Sequence, residues 1–395
     1  MATKFNGRLN TNEFYNSIYN AARLYMIYAD NLKGMDNKNL ADKYRADGGM
    51  YNDQSVFTDM DVIYSRIWDP NDTNVLSPEA VVKPVQERIT VDRFRQIGIY
   101  TDEYLSKRAW MDPNTYDEFR SVVQKQSAET KRVYEQRMVD VFVGVEPSAA
   151  SQTITLTLPT DTDAEKQNRL QAQAIAKKIG DLFVDLKDTT TDFNVNGFIK
   201  SFDKGDIDVI WNADYYNKIR YVDLPTIFHK EDLLENGIVL PARYFGTRKT
   251  ITGDAHADGT DKYRAEMEAF IPVDTTGKYS AAGTNVVHVF PGDVLPNLTP
   301  ISSEGTADYL TKEFTVNGVK RTIQYYTDVR AYEVDPTIIC KLVHKDAVKY
   351  LSSFETATEF WNPKNLTTNR YLTWAYAKPQ LLNGYPFITI KAAQA

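Results

Sequence analysis

DPNTYDEFRSVVQKQSAETKRVYEQRMVDVFVGV, residues 112–145, is the longest run in the chain that reads as one uninterrupted helix with both ends marked. Asp112 can accept from the first free amides, and Pro113 suits the first helical position because its φ is already fixed. Asp117 and Glu118 lie near the positive end of the helix dipole, and Gly144 supplies a stop. Between the ends, Tyr116, Phe119, Val123, Val133, Met138, Val141 and Phe142 recur at three- and four-residue steps, whereas Gln124 to Thr130 is polar all round. The spacing predicts a continuous helix from about Asp112 to Phe142. At 1.5 Å per residue such a helix reaches roughly 45 Å, beyond the diameter of a small compact domain. Gripped at its ends and wetted at its middle, it implies an elongated, plate-like protein; a long amphipathic helix crossing an ordinary large domain is the alternative.

With 395 residues the chain can bury a sizeable core and make two or three domains, or one domain with long excursions. Its net charge of -7 argues against a surface devoted to nucleic-acid phosphates. A single cysteine, Cys340, excludes an internal disulfide framework, fits a reducing compartment and is expected to fill a strand core. No signal peptide is visible, and no apolar run approaches the roughly 20 residues that cross a bilayer, so a cytoplasmic product without a membrane partner is expected. Tyrosine is frequent, at 25 residues with 18 Phe and 5 Trp, which fits either a self-associating surface or aromatic pairing between strands of one chain.

Upstream of the long helix, Asn10 to Lys33 reads as a helix with Asn10 and Glu13 as a capping box, followed by an irregular Gly-, Asn- and Asp-rich arm. Asp61 to Asp102 reads as extended chain: VIYSRIW, a turn at Asp69 to Asn74, then Val81 to Val85 and Ile89 to Tyr100. A long hairpin of this kind is poorly stable alone and needs a partner surface. Lys83, Arg88, Arg93 and Arg95 gather on it with Glu87 and Asp92 among them. A mixed-sign patch suits pairing with a like-built neighbour better than binding DNA, although a solvated strand would look the same. On the first reading, reversing Arg88, Arg93 and Arg95 impairs association and leaves the fold of the single chain nearly intact.

Downstream, Thr153 to Leu158 alternates as a strand, and Asp161 to Leu186 is a second amphipathic helix with Leu170, Ala174, Ile175, Ile179, Leu182 and Phe183 as its stripe. A strand at Ile207 to Asn212, a helix from Ala213, a helical piece around Lys230 to Leu234 and a strand at Ile238 to Phe245 make a compact α/β unit. Residues 250–330, rich in Gly, Thr, Asp and Pro, read as an insertion of loops and short strands at Val286 to Phe290, Glu313 to Val316 and Thr322 to Tyr326. Thr337 to Val343, Tyr371 to Tyr376 and Phe387 to Ile390 close the chain as strands, with Val348 to Phe360 ambiguous.

Catalytic fingerprints are missing: there is no GxxxxGK[ST] loop, GxSxG elbow, HExxH helix, CxxC pair or strand-linked GxGxxG. Asp254, His256, Asp258 and Asp261 could ligate a divalent cation but read better as a solvated loop, and His229, Glu231 and Asp232 read as a helix start. The expectation is therefore no catalytic residue, no cofactor and no metal. A hydrolase or lyase with an acidic site, or a binding module with an aromatic groove, are the alternatives kept open.

Three stretches carry a family resemblance. VDRFRQIGIYTDEYLSKRAWMDPNTYDEFRSVV (91–123), DIDVIWNADYYNKIRYVDLPTIFHKEDLLENGIVLPARYFG (206–246), and CKLVHKDAVKYLSSFETATEFWNP (340–363) with NRYLTWAYAKPQLLNGYPFITI (369–390) resemble the major capsid proteins of tailed bacteriophages, those of small short-tailed phages of Gram-positive hosts most of all. The resemblance implies an α+β, Hong Kong 97-type fold: an N-terminal arm (1–60), an extended loop (61–111), a peripheral domain on a spine helix (112–185), an axial domain (186–335) containing the 250–330 insertion, and a return to the peripheral domain (336–395). It implies hexamers and pentamers forming an icosahedral shell around double-stranded DNA held by weak, non-specific contact. It also implies a separate scaffolding protein, a portal protein, and a decoration or head-fibre protein as partners.

Overall fold

A computed structural model of the chain describes residues 40–46, 54–65, 67–69, 71, 83–91, 93–102, 113–146, 152–220, 237–249, 263–273, 285–295, 310–316, 319–325 and 331–393. Pro113–Gly144 is a single α-helix of 32 residues, unbroken at Gln126, as its end signals predict. The helix at Asn10 to Lys33 and the Lys230 to Leu234 piece lie outside the described residues. The chain divides into two units, Met1–Ser55 with Ile89–Gln136 and Tyr350–Lys378, and Val56–Arg88 with Arg137–Lys349 and Pro379–Ala395. The boundaries read from sequence at 185/186 and 335/336 both fall inside the second unit.

The first unit is built on a four-stranded sheet in the order Arg45–Ala46, Val348–Asn362, Thr367–Leu381, Arg93–Asp102. Its two central strands are 15 residues each, so the stretch at Val348 to Phe360 that sequence left ambiguous is strand throughout. Along Arg93–Asp102 exposure alternates from residue to residue, because side chains point to opposite faces of the pleat. One face meets the spine helix through Tyr134 and Tyr376. Lys131, buried on the helix, pairs with Glu135 at 3.8 Å and with Glu355 at 2.5 Å. Burial pushes the Glu135 carboxyl above its usual range.

The second unit is organised by a five-stranded mixed sheet in the order Gln152–Leu156, Phe387–Ala392, Ile338–His344, Ile207–Asn212, Ile238–Leu240. Every residue of Ile207–Asn212 and Ile338–His344 is buried, which is why those runs show little polar alternation in sequence. Helix Ala164–Lys187 starts where the Asp163 side chain accepts from the Glu165 amide at 3.0 Å. It packs Ala172, Ile175, Ile179, Leu182 and Leu186 against Val209, Trp211, Leu342, Ile388 and Ile390. Leu170, Ala174 and Phe183, expected in that stripe, are only half-buried, and Ala172 and Leu186 join it instead. Cys340 is wholly buried in this core, and burial pushes its thiol up.

Two strand readings are corrected. The strand expected over Ile238 to Phe245 stops at Leu240; Pro241, which has no N–H to donate to a ladder, begins a 3₁₀ turn at Ala242–Tyr244, and Gly246–Lys249 then joins another sheet beside Ala331–Val334. The extended hairpin is also shorter than read: Val85–Thr90 pairs with Gln54–Asp59, whereas Arg93–Asp102 leaves it to pair along ten residues with Thr367–Leu381. The longer ladder and the aromatic face it completes outweigh continuation of a thin two-stranded ribbon. In the 250–330 region the described residues include two hairpins, Ala269–Val273 with Asn285–Val289 and Leu310–Val316 with Val319–Tyr325, and a strand, Tyr263–Ala265, beside Ala331–Val334.

Candidate functional site

The second unit carries a short stretch of chain, Asp61–Ser65 and Ile67–Asp69, with no regular structure and an unusual apolar load. Ile67 is 94% exposed and Trp68 78%, with Met60, Val62, Ile63 and Tyr64 exposed beside them in sequence. Scattered surface apolar residues are ordinary, but six among nine consecutive positions on one strand of chain mark a surface built to be covered.

The first unit carries a second such surface on its sheet. Phe94 and Tyr100, 70% and 76% exposed, stand on one face of Arg93–Asp102. Between them Gln96 donates to Thr373 Oγ1 at 3.1 Å, and Tyr371 lies over Gly98, whose missing Cβ would stand 3.1 Å from the ring. Phe360 continues the row, its ring 6.2 Å from that of Tyr371. The result is an aromatic face that no other described residue of its unit covers.

The residues singled out by charge pattern separate. Lys83 and Arg88 are exposed. Glu87 is half-buried, and its Oε1 accepts from the Asn383 amide at 2.9 Å. Arg93 is only 8% exposed, and the Arg95 guanidinium lies 4.3 Å over the Tyr134 ring while its Nε donates to Tyr376 Oη at 3.1 Å. Asp92 lies outside the described residues. The expectation that reversing Arg88, Arg93 and Arg95 spares the fold is therefore corrected: two of the three are packed inside their own unit, because the strand's alternation turns its odd positions toward the helix. Pattern alone missed the apolar stretch, although VIYSRIW already showed five large apolar residues in seven without a strand's alternation.

Asp254, His256, Asp258 and Asp261, and likewise His229, Glu231 and Asp232, lie outside the described residues. Among the described residues no group of three or more His, Cys, Asp or Glu side chains could hold a metal ion, and no helix is long and apolar enough to cross a membrane.

No family model matches the chain, and no curated protein is similar to it in sequence. Solved structures are similar in fold. A chain in the capsid structure of Staphylococcus phage Andhra superposes with a TM-score of 0.56 at 9% identity, over 91% of this chain and 84% of that one. A chain in the structure of the head fibre and inner core protein gp22 of native bacteriophage P68 does so with a TM-score of 0.54 at 11% identity, over 89% and 83%. At such identities the likeness is one of fold: a mixed helix-and-strand architecture shared across nine-tenths of the chain, as the Hong Kong 97-type reading expects.

Proposed function

We propose that this chain, having the fold of tailed-phage capsid structures, is a major capsid protein that self-assembles into the icosahedral shell of a virion. One observation carries the reading beyond fold: a strand of chain with six large apolar residues turned to solvent, in a molecule that also exposes an aromatic sheet face. Burying one such side chain stabilises by about 1.5–3 kcal/mol, so a few of them repeated over many copies suffice to hold a shell. In this reading Met60 to Trp68 lies over a neighbouring copy, and Lys83 and Arg88 at exposed positions set the register by charge, while Glu87 is bonded to the Asn383 amide and Arg93 and Arg95 serve the sheet of their own unit.

Residues 112–185 and 336–395 then form a peripheral domain, 186–335 an axial domain meeting its copies at the centres of hexamers and pentamers, and 1–60 an arm. The acidic balance suits a container that does not grip its DNA. A scaffolding protein, a portal protein and a decoration or head-fibre protein are the expected partners, and short-tailed phages of Gram-positive hosts the expected source. Electron microscopy of the expressed chain, with and without a co-expressed scaffold, tests this. Shells or ring-shaped capsomers support it; a uniform monomer with saturable turnover or ligand binding overturns it in favour of an enzyme or an aromatic-groove module.

A further inference from the structure

The exposed stretch leaves the second unit between two strand ends that are held by charge. Going out, Asp59 Oδ1 lies 2.6 Å from Lys200 Nζ, Asp59 Oδ2 accepts from Asn196 Nδ2 at 2.7 Å, and Asp61 Oδ1 accepts from the Ile199 amide at 2.9 Å. Coming back, Glu87 Oε1 takes the Asn383 amide, and Lys200 Nζ also donates to Gly384 O at 2.7 Å. The receiving loops are themselves tied. The Val195 amide donates to Asn383 O at 2.8 Å, and the Asn194 side chain closes its own loop by exchanging two bonds with Phe198. The Tyr385 ring sits 5.0 Å from Lys200 Nζ and stacks on His344 of the central sheet at 4.8 Å. Asp59 and Glu87 thus stand at the two strand ends from which the exposed stretch springs, its feet, and Lys200 is the ammonium that faces both, while Asp61 is held by a backbone amide.

We infer that Lys200 is the keystone of a clasp that pins the ends of the two hairpin strands from which the exposed stretch springs, and so presets the direction of the hairpin in the single chain. A ribbon of two six-residue strands has little stability of its own, so its direction is set by whatever holds its ends. Without the ammonium, Asp59 and Glu87 repel each other at short range in a half-buried site, and the feet part first. Gly384 offers an independent, steric route to the same release: a Cβ there would overlap the Asp59 carboxylate and stand 2.8 Å from Lys200 Nζ. The inference concerns one chain and stands or falls apart from the shell reading.

The test is hydrogen–deuterium exchange with mass spectrometry on the full chain, comparing wild type with Lys200→Gln, Gly384→Ala and Asp59→Asn in the same sedimentation fraction. Exchange should rise at least fivefold at Val56–Asp59 and Val85–Arg88, while Ile338–His344 and Phe387–Ala392 stay within twofold of wild type. Unchanged exchange at the feet overturns the inference, and so does equal acceleration throughout the unit. Failure of all three variants to fold also overturns it, because the cluster would then hold the unit together rather than orient the hairpin.

Discussion

The hydroxyls of Tyr134 on the spine helix and Tyr376 on a central strand lie 2.8 Å apart in the buried core of the first unit, their rings edge to face at 5.8 Å. Arg95 completes the contact from the adjacent strand, lying over one ring and donating to the other hydroxyl. Three elements far apart in sequence thus meet at one pair of oxygens. Tyr376→Phe removes the shared oxygen while keeping the ring, leaves the Tyr134 hydroxyl and the Arg95 Nε each short of a bond, and should cost about 1–3 kcal/mol. A thermal melt of the variant, with exchange confined to Arg93–Asp102 and the helix, is the check.

Arg88 and Arg95, seven residues apart, should behave oppositely. Arg95→Glu strips the cation from the Tyr134 ring and sets a carboxylate against it, destabilising the chain by about 2 kcal/mol or more. Arg88→Glu, at an exposed position, should leave the melt within about 0.5 kcal/mol of wild type and lower shell yield in a salt-dependent way. Equal melting of the two variants would refute this placement.

Ile67→Ser together with Trp68→Ser should leave the unassembled chain's melt unchanged, since nothing in the described chain covers either residue. Their combined transfer free energy, on the order of 3–6 kcal/mol, predicts at least a tenfold loss of sedimenting particles. A variant that assembles normally would show that this stretch is not what neighbouring copies bury.

Glu87 is raised above the ordinary carboxyl value, first by burial and then, against the Asn383 bond, by nearby Asp59. A raised carboxyl pKa means that the folded chain holds the proton more tightly than the unfolded one. Its contribution is therefore greatest below the ordinary value of 4.5 and is lost as pH rises through the folded value. Glu87→Gln keeps the acceptor for the Asn383 amide and removes the charge, so it should raise the melting temperature at pH 7 and lose that advantage below pH 4.5. A lower melt at pH 7 would show the charge to be stabilising after all.

His344 runs the other way. Burial between Tyr385 and Phe202 lowers its pKa, with Asp346 and Asp206 opposing and Lys349 and Lys345 reinforcing. Its Nδ1 accepts from the Asp346 amide at 3.1 Å, which requires the unprotonated nitrogen. Stability should be full above the ordinary value of 6.5 and fall as pH drops through the folded value. His344→Phe keeps both ring contacts, costs about 1 kcal/mol at every pH through the lost bond, and should flatten the decline between pH 7 and pH 5. A decline of unchanged steepness in the variant would assign it to other groups.

Much of this architecture is legible from short windows. Residues 112–145 announce their helix because caps, proline and apolar spacing all act within a few turns, and 338–344 announces a buried strand because burial on both faces leaves an apolar run. The candidate surfaces were harder to read. The five described charged residues among those read on 83–95 share a stretch of sequence but not an environment, since the alternation that exposes Phe94 turns Arg93 and Arg95 inward. The apolar stretch at 60–68 lacked a period, and without one exposure and burial look alike in sequence.

The sequence by itself determined where the two long helices lie, that Ile338–His344 is a buried strand and that Cys340 stands alone, because these depend on propensity, capping and composition. Only the tertiary structure decided that Arg93–Asp102 joins Thr367–Leu381 rather than the hairpin, that Tyr134 finds Tyr376, and that Lys200 closes on Asp59. Each of those choices joins residues more than a hundred positions apart. A backbone hydrogen bond or an ammonium accepts many partners equally well, and the packing of the whole unit selects among them.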